Sequence, residues 1–205
     1  MSAESVQFYG DKVAEVASKA NELDFLENEQ SFADGQYDET SVSKRKYNKG
    51  KRSRLAAEYI QTAVSVSSKK ATKVFGKFVA DKSSATLLPM VEHLAAVGGV
   101  VKTDGWPSYA ALGSDVRVDV SHAVVNHKDT FVSADGTHTN NVEAMHSVLK
   151  RQMRRRYWQV RSRGDEGESQ NKLQLVLFLE NLNLALDKKD PVVHWFSCYR
   201  QQTST

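Results

Sequence analysis

The chain has 205 residues, 40% apolar and 26% charged, with eight Phe, seven Tyr and three Trp. It can bury one core of ordinary size with a short appendage, which argues against two full domains or a disordered tail. The net charge of +3 conceals an asymmetry, because residues 1–40 hold ten acids and two bases while residues 41–205 hold 26 bases and 15 acids.

The longest runs without Asp, Glu, Lys or Arg, such as Tyr59–Ser68, reach about ten residues, against the roughly 20 needed to cross a bilayer. MSAESVQFYGDKVAE has no basic leader or apolar signal core, so an intracellular protein is expected. The single cysteine, Cys198, leaves no internal disulfide and no thiolate zinc site.

In chain order, residues 4 to about 29 read as a helix, with Val6, Tyr9, Val13, Val16, Ala17, Ala20 and Leu23 recurring at intervals of three and four. SFADG reads as a polar turn and QYDET as a short strand centred on Asp38. Ser43–Arg54 (SKRKYNKGKRSR) carries seven bases and no acid and reads as a loop. YIQTAVSVS and TKVFGKFVA alternate as the two strands of a hairpin. Ser83 and Ser84 are candidate caps for a helix bearing Leu87, Leu88, Val91 and Leu94, which Pro89 should kink or delay and Gly98-Gly99 should end.

VVKTD is a short buried strand ending at Asp104, followed by a turn or short helix, GWPSYAAL. Val116–Val125 offers another strand, broken near Ser121, and HKDTFVSADGTH is a polar loop. A helix from Thr139 to about Arg156 has Val142, Met145, Leu149 and Met153 as its apolar stripe. RSRGDEGES is a charged connection, and NKLQLVLFLENLNLAL is an apolar helix that should pack on the sheet. Three units are expected: an acidic arm over 1–30, a core over 31–190 and a tail over 191–205. The strand and helix order implies an α/β fold, a mixed sheet flanked by helices, and matches a ribonuclease H-like arrangement.

Three acids stand out: Asp38 in a strand, Asp104 at a strand end and Glu143 near the start of a helix. Singly, each reads as an ordinary turn, cap or surface carboxylate. Together they supply the convergent oxygen ligands that a two-metal phosphoryl-transfer site requires. Asn140, Glu143, Ser147, Lys150 and Arg154 share one helical stripe, with Lys150 about 10 Å beyond Glu143. Such a stripe suits a DNA strand as well as it suits a surface ion-pair ladder.

Lys150–Arg163 (KRQMRRRYWQVRSR) is a second run with seven bases. The two basic runs point to a polyanion and nominate Lys44, Arg45, Lys46, Lys49, Lys51, Arg52, Arg54, Lys150, Arg151, Arg154 and Arg155 as DNA-contacting residues. His122, His127, His138 and His146 lack HExxH spacing and are assigned no metal. Gly105 and Gly136 are isolated and no phosphate-binding loop occurs, so no nucleotide cofactor is expected.

Several ordered motifs carry a family resemblance. TDGW (Thr103–Trp106) with Tyr109, Val125-Asn126-His127, Phe131-Val132, His138-Thr139-Asn140, Val142-Glu143 and Lys150-Arg151 are similar to the catalytic core of the ISXO-like insertion-sequence transposases, relatives of the Merlin elements. YDET followed by KRKYNKGKR resembles the first motif of that family, and DKSSATLLPMVEHL the segment before its second acid. The similarity spans roughly residues 35–186.

The resemblance implies a ribonuclease H-like DDE core with Asp38 and Asp104 as its first two acids. It puts Glu143 third, with Asn140 as second choice, and Lys150 follows at the spacing of such enzymes. Two Mg²⁺ or Mn²⁺ ions, element-end and target DNA, a homo-oligomer on DNA and an intracellular, DNA-associated location follow from it. So do strand cleavage and strand transfer. Met145-His146 stands where the family places an aromatic pair, and only an acidic helix precedes the core. These departures motivate the alternative of a catalytically lapsed, transposase-derived DNA-binding protein.

Overall fold

The computed structural model describes residues 3–41, 59–112, 119–125, 139–157 and 166–185. Its elements are α1 (Ala3–Glu27), β1 (Phe32–Ser41), β2 (Tyr59–Ser67), β3 (Lys70–Val79), α2 (Ser84–Leu94), β4 (Ala95–Asp104), a single 3₁₀ turn (Pro107–Tyr109), β5 (Val120–Val125), α3 (Asn140–Tyr157) and α4 (Glu166–Ala185). The sheet runs β3-β2-β1-β4-β5. The first three strands pair antiparallel, and β1, β4 and β5 pair in parallel. This is the mixed, helix-flanked α/β sheet expected of a ribonuclease H-like domain.

Alternation along each strand divides the interior in two. Tyr37, Ala63, Phe75 and Val101 face α2 and pack with its Leu87, Val91 and Leu94. Ile60, Val64 and Val74 face the other way and meet Val142, Met145 and Leu149 of α3 with Leu173 and Leu177 of α4. The apolar stripe read from the α3 sequence therefore docks that helix, its residues 142, 145 and 149 all being buried.

Several boundaries differ from the expectation. All of SFADG but Ser31 belongs to β1 rather than to a turn, and its Gly35 pairs on both sides, opposite Ser65 of β2 and Val101 of β4. α2 ends at Leu94, and Gly98-Gly99 lie inside β4. The local signal that stops a helix also permits a strand irregularity. Gly98 has φ +73°, and the β1–β4 register shifts between Phe32 and Asp34. A side chain on Gly99 would meet Ala96 O at 2.8 Å and Phe32 O at 3.0 Å, so only glycine lets the strands approach here. Pro89 lies within α2 without delaying its start, and Ser83 occupies the N-cap position without capping, its hydroxyl donating to Asp81 Oδ1 at 2.7 Å. β5 runs unbroken through Ser121, and Glu166–Ser169 open α4 rather than a loop.

The helix α1 buries Ala14, Ala17 and Asn21, whereas Tyr9, Val13, Val16 and Leu23 remain exposed. Its anchor is polar: Asn21 Nδ2 donates to Gln174 O at 2.7 Å on α4. That same helix closes the open edge of β3. Asn181 Oδ1 accepts from Val74 N at 2.8 Å, its Nδ2 donates to Val74 O at 2.9 Å, and Gln174 Nε2 donates to Gly76 O at 2.9 Å. Side-chain amides thus satisfy a strand edge that would otherwise invite intermolecular pairing. Asn181→Ala should expose this edge at a cost of roughly 1–3 kcal/mol. Native-state hydrogen exchange should show the Val74 amide losing protection selectively.

Candidate active site

Parallel pairing of β1 with β4 sets the geometry. Gly35 lies opposite Val101 and Gln36 opposite Lys102, where the pairing ends; carried two residues on, that register brings Asp38 level with Asp104, whose charge acts on it. Lys102 Nζ bonds Asp34 Oδ2 at 2.6 Å across these strands. Period-two alternation then places Asp34, Gln36, Asp38, Lys102 and Asp104 on one face, the one that α3 covers. Asp38 Oδ1 accepts from Glu39 N at 2.7 Å, and Asp104 Oδ1 accepts from Trp106 N at 3.1 Å. Burial, and next the charge of Asp104, push the Asp38 carboxyl up to about 7.

Gln36, fully buried on β1, ties α3 to the acid-bearing strand. Its Oε1 accepts from Asn141 N at 3.1 Å and Val142 N at 3.2 Å, capping the first turn of α3 from outside the helix. That turn carries Asn140 and Glu143, both exposed, and Glu143 N bonds Thr139 O at 3.1 Å. About one turn beyond Glu143, His146 is buried with Nδ1 3.5 Å from Asp38 Oδ2. Burial, together with the Lys150 and Lys82 ammoniums, holds His146 down near 3. The contact is therefore a neutral imidazole beside a carboxyl group, not an ion pair.

The opposite face of β1 carries a polar cluster of its own. Buried Glu39 accepts a hydrogen bond from Tyr109 and pairs with Lys82 Nζ at 3.3 Å. Burial raises its carboxyl above the usual range, while Tyr109 and Lys82 counteract part of that rise.

Of the residues expected from the sequence, the structure brings Asp38 and Asp104 together. Glu143 and Asn140 stand on the adjoining helix turn, and Lys150 further along the same helix. Among the described residues no three His, Cys, Asp or Glu side chains gather into a group that could hold a metal ion. Lys44, Arg45, Lys46, Lys49, Lys51, Arg52 and Arg54 lie outside the described residues, as do His127, His138 and the side chains of Arg154 and Arg155; Arg151 is exposed on α3. His122, given no metal, bonds Thr103 Oγ1 at 2.8 Å. Sequence reasoning missed Gln36, Glu39, Lys82 and His146. For His146 a signal was present, since it occupies one of the two positions where an aromatic pair was expected.

A helix-flanked mixed sheet in this strand order is consistent with a ribonuclease H-like transposase fold. The chain belongs to the ISXO2-like transposase domain family, whose model matches residues 25–164 and thus excludes most of α1. No curated protein matches the chain. Among the described residues no helix is long and apolar enough to cross a membrane.

The acid pair has a consequence for stability. Asp38 has a folded pKa near 7 and an ordinary value of 3.8, so the fold retains a proton that the unfolded chain releases between these limits. Its contribution to stability is therefore lost as pH rises from about 4 to about 7. His146, near 3 against 6.5, acts in the opposite sense between those values. In metal-free protein, Asp38→Asn should raise the unfolding free energy at pH 8 by about 2–4 kcal/mol, and much less at pH 4. Denaturant melts at the two pH values check this.

Proposed function

We propose that this domain is an active transposase core that cuts DNA strands at the ends of a mobile element and joins them to a target, with Asp38 and Asp104 holding divalent cations. The observation that carries this reading is the in-register acid pair in a chain of a transposase family. The donor set fits hard cations: two carboxylates share one face, and the charge of one impedes ionisation of the other. A cation between them would relieve that repulsion. Glu143 is the proposed third acid, with Asn140 as the second choice, because both stand on the helix turn that Gln36 ties to β1.

Two Mg²⁺ or Mn²⁺ ions, when bound, would supply activation of the attacking oxygen and charge neutralisation at the leaving oxygen. The chain's own residues have distinct tasks. Asp38 and Asp104 orient the scissile phosphate relative to the sheet. Neutral His146 lies against Asp38 and adds no competing cation. Lys150, with Arg151, Arg154 and Arg155, binds the phosphates flanking the cut, and Lys44, Arg45, Lys46, Lys49, Lys51, Arg52 and Arg54 bind the backbone further away. Working as a homo-oligomer would let two copies hold the two ends of one element. The protein would act inside the cell, at DNA, and needs no nucleotide cofactor.

A second reading is a lapsed transposase that only binds DNA. His146 in place of an aromatic residue beside Asp38 favours it. Incubation of the protein with Mg²⁺ or Mn²⁺ and DNA carrying the inverted repeats that flank its gene separates the two. The active core nicks or joins that DNA, and Asp104→Asn lowers the rate at least about 100-fold. DNA binding should be unchanged or tighter in that variant, since an anion near phosphate is removed. Binding by both proteins should weaken steeply with salt through counterion release. Salt-sensitive binding with no cleavage under either metal would establish the lapsed form.

A further inference from the structure

A groove of about 800 Å³ opens across the carboxyl ends of the strands beside the acid pair. Its walls include Glu39, Tyr59, Lys82, Trp106, Ser108 and Lys150. It adjoins the pair through the backbone at two points. Glu39 directly follows Asp38, and Trp106 N donates to Asp104 Oδ1 at 3.1 Å.

Trp106 is 43% exposed, an unusual position for an indole unless its face has a use. The ring is nevertheless held at its edge: Nε1 donates to Lys82 O at 3.3 Å, and Ser108 Oγ donates to the same carbonyl. The indole is thus tethered by its edge, and the exposed part of its ring forms a preorganised stacking surface. Tyr59 faces the same space, because one ammonium, Lys82 Nζ, lies 4.9 Å from the Trp106 centroid and 5.3 Å from that of Tyr59. Lys82 is held in place by Glu39 at 3.3 Å. Lys150 brings a second cation from α3, on the other side of the sheet.

Two convergent aromatic rings with two cations are the components of a site for an unpaired nucleotide, in which the rings stack on the base and the cations meet its phosphates. The volume agrees, since pockets for small ligands span roughly 300–1,000 Å³, too little for the width of a duplex. We propose that this groove takes an unpaired base of the DNA strand next to the scissile phosphate, stacked on the exposed part of the Trp106 ring beside Tyr59, with Lys82 and Lys150 near its phosphates. The inference rests on the reading of the chain as a DNA-acting transposase core. It adds that the strand is locally unpaired beside the acid pair. Taking the base out of the duplex would carry the backbone across the strand ends and hold the phosphate there.

The test uses the full chain without metal, so that cleavage plays no part. Two probes are compared, a blunt duplex and the same duplex with a short single-stranded overhang containing 2-aminopurine. The wild type should bind the overhang probe about 5- to 100-fold more tightly than the blunt one and quench the 2-aminopurine by stacking. Trp106→Ala should abolish the preference and the quenching while leaving blunt-duplex affinity unchanged, and Trp106→Phe should retain most of both. Should Trp106→Ala unfold, Tyr59→Ala and the wild-type fluorescence decide in the same way. Equal wild-type affinity for the two probes, or a Trp106→Ala loss shared by both, would overturn the subsite alone. Failure to bind either DNA would overturn the subsite together with the transposase-core reading.

Discussion

Two carboxylates held at the same level on neighbouring parallel strands repel each other, and burial on the face beneath α3 strengthens the repulsion. The β1–β4 pairing reaches Gln36 and Lys102, two residues short of the acids, and the sheet continues through β2 and β3 on one side and β5 on the other. Burial first, and the neighbouring charge of Asp104 second, keep Asp38 easy to protonate, with a pKa pushed up to about 7. On the proposed reading, a divalent cation would satisfy both acids at once.

Much of the surrounding structure serves to maintain that arrangement. Gln36 caps α3 from the same strand that carries Asp38, so the helix bearing Asn140 and Glu143 is referenced to the acid and not to a loop. On the reverse face, Glu39, Tyr109 and Lys82 join the end of β1 to the segments that follow β3 and β4. The two faces of one short sequence, Tyr-Asp-Glu-Thr, are thus distinct: Asp38 lies on the face it shares with Asp104, while Glu39 lines the wall of the neighbouring groove. Strand alternation alone separates these roles.

The strands and the docking stripe of α3 were legible because period two and period 3.6 are local properties of the chain. Asp38 and Asp104 were legible as well, since each lies in a short motif. Register between them was not, because it depends on a bulge at Gly98-Gly99 that resembles a helix stop when read locally. The polar stripe Gln170, Gln174 and Asn181 was hidden inside a helix that reads as apolar, and its purpose appears only when the edge of β3 lies beside it. Glu39 and Lys82 are 43 positions apart, and Glu39 and Tyr109 are 70 apart. Spacing along the chain carries no information about such contacts. His146 could be noticed as a departure from a family pattern, but its contact with Asp38 follows from the placement of α3 on the sheet.

Cation binding by the Asp38–Asp104 pair is the central claim, and calorimetric titration of Mn²⁺ into the DNA-free protein at pH 8 tests it most directly. Binding should be present in the wild type and weakened at least about tenfold by either Asp38→Asn or Asp104→Asn, since each removes one of two shared ligands. It should be absent from the double variant. Unchanged Mn²⁺ affinity and stoichiometry in a folded Asp38→Asn/Asp104→Asn protein would contradict the claim, because the ion would then be held elsewhere.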